Sequence, residues 1–489
     1  MQDLSKGGSR NSGGGGNAAS EVPKTFSYLF GFAQAVIIVL YFSFTNYDYN
    51  TNPATASNNA TGGAEVASLY GLWQDIHVMI FIGFGFLMTF LRSYGFSSLT
   101  LNFLTGVYAI QWGILVTGFF GLAFANKGEG LGHAKVPLNL HQLVEGDFAA
   151  AACLISLGAC LGKTSPTQTL VMVTFELIFY ALNFQVGVTK LGAADIGGTM
   201  FIHTFGAYFG LACSWMVTNG SRTKDHKNNS SMYHSDMFSM VGTIFLWVFW
   251  PSFVSVLASG NAQNRCIVHT LLSLCASCIS ACVVSSILRP DHKFDMVDVQ
   301  NATLAGGVTI GAVADHYLGG GGALLLGAGA GALSTFGYVR IQPWLEDKCG
   351  IYDTCGVNNL HGMPGILGGL ASVVTASMAD SKLLYGDNVG DVFGEMGDGR
   401  TAGKQAGMQF LALVITLAIA IVGGLFTGKL LRNKALDPPA LLFNDATHFG
   451  LPEAMEASHY GVPEDMMDGS THGHVVAPPS ASKLSVHSA

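Results

Sequence analysis

The chain has 489 residues, 31 of them acidic and 23 basic, for a formal charge of −8. Only 11% are charged and 49% are hydrophobic, with a mean hydropathy of +0.41; a soluble domain carries roughly 25% charged residues. These totals exclude an ordinary soluble domain, and with no basic stretch they exclude a nucleic-acid partner. They fit an all-α polytopic membrane protein.

Residues 1–24 are rich in Gly, Ser and Asn and read as a disordered N-terminus. The first apolar run is long, with only Lys24 directly before it, so it reads as an anchor rather than a cleaved signal. About twelve apolar runs follow from there, each near the ~20 residues that span a bilayer. They fall at 25–46, 73–92, 100–124, 143–162, 167–188, 197–218, 236–258, 264–288, 299–317, 320–341, 361–380 and 405–432. Gly-rich 305–332 blurs the boundaries of the eighth to tenth runs. With the N-terminus inside, about 16 Lys and Arg fall on the inner side and about 7 on the outer side, which predicts both termini cytoplasmic. The first outer loop then carries the sequon Asn59-Ala60-Thr61, an expected glycan site. The sequons at Asn219, Asn228 and Asn229 fall inside, and that at Asn301 near or within a span.

Residues 433–489 read as a soluble cytoplasmic tail with Pro438-Pro439, short helical stretches near 452–459 and a Ser/His/Pro-rich end. The pair His472 and His474 is too isolated to imply a metal site. Of the nine cysteines, most lie in apolar runs, and Cys275-x-x-Cys278 has no second cluster, so they read as small apolar residues. No phosphate loop, zinc-protease motif or nucleophile triad appears. The chain therefore does not read as an enzyme, and no cofactor or metal is expected.

One pattern occurs twice. Asp195 to Leu211 reads DIGGTMFIHTFGAYFGL, and Asp353 to Gly369 reads DTCGVNNLHGMPGILGG. In each, Asp precedes His by eight residues (Asp195 to His203, Asp353 to His361), with Gly three after the Asp and seven after the His. Two copies 158 residues apart indicate an internal duplication. A histidine in a membrane span is costly unless it is paired or faces a cavity. Two of them on matched copies therefore point to a shared site. Both aspartates precede a helix and are placed to cap its first amides. Asp75 and His77, which open the second span, and Asp147 read as helix-end or interhelical hydrogen-bond residues. His269 and His316 lie near span ends and read as interfacial.

The sequence resembles the Rh (Rhesus) glycoproteins of the ammonium transporter superfamily across about residues 25–432. The resemblance rests on FIHTFGAYFGL (201–211), WPSF (250–253), DMVDVQNATLAGG (295–307) and NNLHGMPGILGG (358–369). The extra first helix with its sequon-bearing loop also matches Rh proteins. The resemblance implies a homotrimer in which each subunit carries a pore through two inverted five-helix halves, with extra first and last helices. It places the pore histidines at His203 and His361, a stacked phenylalanine gate at Phe148 and Phe253, and a buried aspartate near the outer mouth at Asp195. Animal relatives often have an acid in the outer vestibule just after the fourth span. This chain has Phe184 there, which weakens cation recruitment at the mouth.

Inverted repeats bring matched positions together near the bilayer midplane. Two touching imidazoles can share a proton, each nitrogen serving as donor or acceptor. They form a polar stripe in an apolar tube, which ammonia can cross. An ammonium-sized ion would meet an idealised cost of order 20 kcal/mol in a low-dielectric medium, so the expected path is deprotonation near the outer mouth and passage of NH₃. CO₂ or mixed gas conduction through the same tube is an alternative reading. Another is a non-conducting ammonium sensor or membrane scaffold that works through cytoplasmic partners of the tail.

Overall fold

The computed structural model describes residues 24–52, 59–125, 135–218, 220–380 and 382–451. They are almost entirely helical, and ten helices are long and apolar enough to cross a membrane. In chain order these are α1 (Lys24–Phe44), α2 (Gly63–Phe90), α3 (Gly95–Ala125), α4 (Leu140–Cys160), α5 (Pro166–Lys190), α6 (Thr199–Val217), α7 (Tyr233–Ser255), α8 (Gly260–Leu288), α10 (Gly319–Cys349) and α12 (Ala402–Leu431). The other two expected spans are present in pieces. The ninth, α9, is Met296–Asn301 followed by Ala305–Ile310 and a 3₁₀ turn, Gly311–Val313. The eleventh, α11, is a π-helical turn, Asn358–Gly362, running into Met363–Ser377.

The helix starts follow local chemistry. Asn139 caps α4 by accepting from the Gln142 amide at 2.8 Å. Ser165 and Gln168 form a reciprocal capping box ahead of Pro166 at the start of α5. Thr401 caps α12. Between spans, Thr45–Tyr47 pairs in parallel with Val136–Leu138.

α4 is the central helix, with every residue from Gly146 to Cys160 buried. α1 is the opposite case. Ile37 is its one buried residue, and it is tied on by Gln34 to Gln111 (2.7 Å) and by the Tyr41 hydroxyl to the Gln111 carbonyl (2.9 Å). The duplication shows in packing. Gly210 lies so close to α4 that a Cβ there would sit 2.6 Å from Ser156 Cα. Its counterpart Gly368 would meet the Thr309 carbonyl of α9 at 2.2 Å.

Several expectations change. The helix that carries α2 already begins at Asn59, not 73, so Asp75 and His77 lie well within it; its more polar first turns stay helical where hydropathy gives no signal. His269 and His316 are buried, not interfacial. The His269 ring bonds the Ala314 carbonyl (2.8 Å) and the His316 ring bonds Thr375 Oγ1 (2.7 Å). The compact unit runs through Phe449. Lys24 begins α1. The Asn59 side chain, the stretch 452–459, and His472 and His474 lie outside the described residues.

Candidate functional site

Each copy of the repeated pattern builds the same local device. Asp195 Oδ2 accepts from the amides of Met200 (2.8 Å) and Phe201 (2.9 Å). The two carboxylate oxygens of Asp353 accept from Val357 (3.0 Å) and Asn358 (2.9 Å). The glycine three residues on is left-handed in both copies, Gly198 at φ 68° and Gly356 at φ 70°, a conformation that costs a residue with a Cβ. Each carboxylate thus folds back over the first amides of its helix, and the helix opens on a π-helical turn, Thr199–Thr204 or Asn358–Gly362. Such turns often mark functional sites. Each carries one of the two histidines.

The two imidazoles meet. His203 Nδ1 lies 3.1 Å from His361 Nδ1, and the rings are nearly parallel, 7° apart with centroids at 5.2 Å. Both residues are buried. Two like nitrogens at that distance require one to donate and the other to accept. His203 Nε2 has no hydrogen-bond partner among the described residues.

On one side of the pair the Phe148 and Phe253 rings touch at 4.8 Å, tilted by 50°. Phe253 is also 5.8 Å from His203. The residue before each Phe is anchored to α2: Asp147 bonds the His77 ring (3.0 Å) and Ser252 bonds Asp75 Oδ2 (2.6 Å). The reading of Asp75, His77 and Asp147 as interhelical hydrogen-bond residues matches this geometry. Their position, one residue from each aromatic ring, is new.

Two aromatic neighbours were not singled out. Trp250 stacks on His203 at 5.7 Å and 20°, and Phe84 stacks on His361 at 6.4 Å and 23°. Trp250 lies three residues before Phe253 within the WPSF motif, so helical spacing offered a signal. Phe84 follows the π-helical turn Met79–Gly83 of α2, and among 32 phenylalanines nothing marks it.

Beyond His361 lies a cavity of about 20 Å³ walled by Phe84, Ile155, Leu360 and Asn301 among others. It is large enough for one water-sized molecule. Successive contacts thus join the phenylalanine pair to His203, His203 to His361, and His361 to the cavity. Asp195 and Asp353 stand at the starts of the two histidine-bearing helices.

Relatives match most of this chain. The model of the Ammonium Transporter Family matches residues 36–435. Ammonium transporter Rh type B of Danio rerio is 43% identical over 427 residues, covering 86% of this chain and 91% of the relative. The Macaca mulatta protein of the same name is also 43% identical over 427 residues, with the same coverage. Among solved structures, Nitrosomonas europaea Rh50 is 33% identical with a TM-score of 0.68, covering 83% of this chain and 98% of that one. Saccharomyces cerevisiae Mep2, at 19% identity and a TM-score of 0.59 over 74% of this chain and 84% of its own, shares the fold. A multi-pass helical chain, matched over most of its length by these proteins, belongs to the ammonium transporter family, on its Rh branch.

Proposed function

We propose that the chain is an Rh-type ammonium/ammonia channel in which NH₃ crosses past His203 and His361. The observation that carries this reading is the 3.1 Å Nδ1–Nδ1 contact between two buried histidines from matched halves. It lies between the Phe148–Phe253 pair and an apolar cavity. The names of the Rh type B relatives and of Rh50 support the substrate class.

Phe148 and Phe253 close the outer entrance to water and hydrated ions, and their π faces favour an approaching cation. The low-dielectric path beyond them disfavours ammonium by a large margin, with no ring of carboxylates or carbonyls to replace its hydration. The proton is left at or outside the phenylalanines. Neutral ammonia then exchanges hydrogen bonds with the imidazole pair. Potassium ion, close to ammonium in size, has no proton to lose and is rejected. Asp195 and Asp353 hold the two helix starts in place.

In this reading the protein sits in the cell membrane as a homotrimer, with both termini cytoplasmic, a glycan on Asn59 and residues from 433 on facing the cytosol. The test is flux into proteoliposomes of purified protein. Stopped-flow pH traces with ammonium should show fast NH₃ entry. His203→Leu with His361→Leu should change methylammonium uptake, and unchanged uptake and selectivity would remove both histidines from the pore. The same traces with CO₂ decide whether the path also carries that gas.

A further inference from the structure

Past α12 the chain stays on the helix bundle. Arg222 Nη2 donates to the Ala440 carbonyl (2.6 Å), and the Phe443 amide donates to the Gly162 carbonyl (3.0 Å). Along this course the segment helps wall a cavity of about 480 Å³ at the ends of α6 and α12. That volume lies within the range of small-molecule sites. Its walls include Lys163, Arg222, Arg432, Trp215, Pro439 and Leu442, and no acidic side chain.

Three cations thus converge on one cavity, and none of them makes an ion pair with a carboxylate among the described residues. Lys163 is the telling one. It is 5% exposed, and its Nζ is held only by neutral partners, Ser214 Oγ (2.7 Å) and the Tyr352 carbonyl. Its nearest carboxylates, Asp353 and Glu346, act on it only from beyond ion-pair distance. An anion in the cavity would add a closer opposite charge for the three cations.

The surroundings indicate which anion. α12 presents Val422, Phe426 and Leu430 outward, an apolar stripe that runs to Arg432 at the cavity. Trp215, half exposed in the last turn of α6, stands at the same level, as aromatic side chains do at a membrane interface. We propose that this cavity binds the phosphate-bearing headgroup of an anionic lipid, with the acyl chains against the α12 stripe and the segment around Pro439 as one wall. Basic pockets between helices at a membrane face recognise such headgroups. The ligand would clamp that segment to the bundle.

The test counts bound lipid by native mass spectrometry on the purified full-length protein in neutral detergent. Dioctanoyl phosphatidylinositol 4-phosphate should be retained at one per protomer, and dioctanoyl phosphatidylcholine should not. At about a fivefold loss per arginine, Arg432→Gln alone should weaken retention roughly fivefold, and Arg222→Gln with Arg432→Gln roughly thirtyfold. The single variant keeps the Arg222–Ala440 bond, so its loss cannot come from a loosened segment. Equal retention of both lipids, or no loss in the variants, would overturn the proposal. Excess inorganic phosphate separates the two sources of the same chemistry. Lipid that stays bound supports the headgroup, and complete displacement overturns it in favour of a soluble phosphate.

Discussion

At the scale of single residues, the site depends on a carboxylate, a left-handed glycine and a histidine, used twice. Asp195→Ala or Asp353→Ala removes a group that accepts two backbone amides, and leaving such buried donors unpaired costs roughly 1–3 kcal/mol. Each variant should lower the thermal midpoint of the detergent-solubilised protein. Gly198→Ala combines left-handed strain with a Cβ placed 2.4 Å from the Ile202 side chain. It should cost about 1–3 kcal/mol and reduce flux, whereas Gly63→Ala, with open space around its Cβ position, should do neither. The Asp–Gly–His pattern was legible in the sequence because its spacing is local and repeated. The stacking of Trp250 and Phe84 on the histidines was not. Aromatic rings are abundant here, and a sequence does not say which of them face a shared lumen. Nor did it reveal that Asp75 and His77 anchor the residues beside Phe148 and Phe253, since those bonds join α2 to α4 and α7.

At the scale of elements, most span positions followed from hydropathy. The failures have physical causes. Gly-rich α9 breaks into short pieces, and α2 continues as a helix where it is no longer apolar. The start of α3 shows what hydropathy cannot report. Its Phe96 and Ser97 amides donate to Asp445 at 3.1 and 2.7 Å, so the cap arrives from beyond the last span. Asp445→Ala should destabilise by about 1 kcal/mol, the usual worth of a cap. Asp445→Asn should cost less, since it keeps an acceptor. Burial pushes the Asp445 carboxyl above its ordinary value, against the pull of its hydrogen bonds to Ser97 and Phe96. Its proton is therefore held more tightly in the folded protein. The stabilisation is complete below the unfolded-state value of about 3.9 and is lost as pH rises through the folded value. The wild type should accordingly gain stability relative to Asp445→Asn as pH falls from neutral. A flat difference across a pH series of thermal melts would contradict this.

At the scale of the whole molecule, the compact unit ends at Phe449. Phe443 is fully buried, and its ring would lie 2.2 Å from a Cβ at Gly162. Truncation after residue 451 should leave the melting temperature unchanged, and truncation after residue 432 should lower it by several degrees, both read in detergent. The proposed passage of neutral NH₃ makes a further demand. Ammonium gradients applied to proteoliposomes on a solid support should give pH changes with little net charge displacement, and a sustained current proportional to flux would contradict neutral transport.

The two halves of the protein are related by pseudo-symmetry, yet the hydrogen bond at their meeting point cannot share it. Of His203 and His361 Nδ1, one holds the hydrogen and the other does not, so the histidine pair has a head and a tail. Reversing it requires a change of tautomer in both rings, and a neutral ammonia molecule, which arrives with no proton to give, would pass without reversing it. Trp250 borders one ring and Phe84 the other, so the two orientations differ in energy, and the resting site is polar along its own axis.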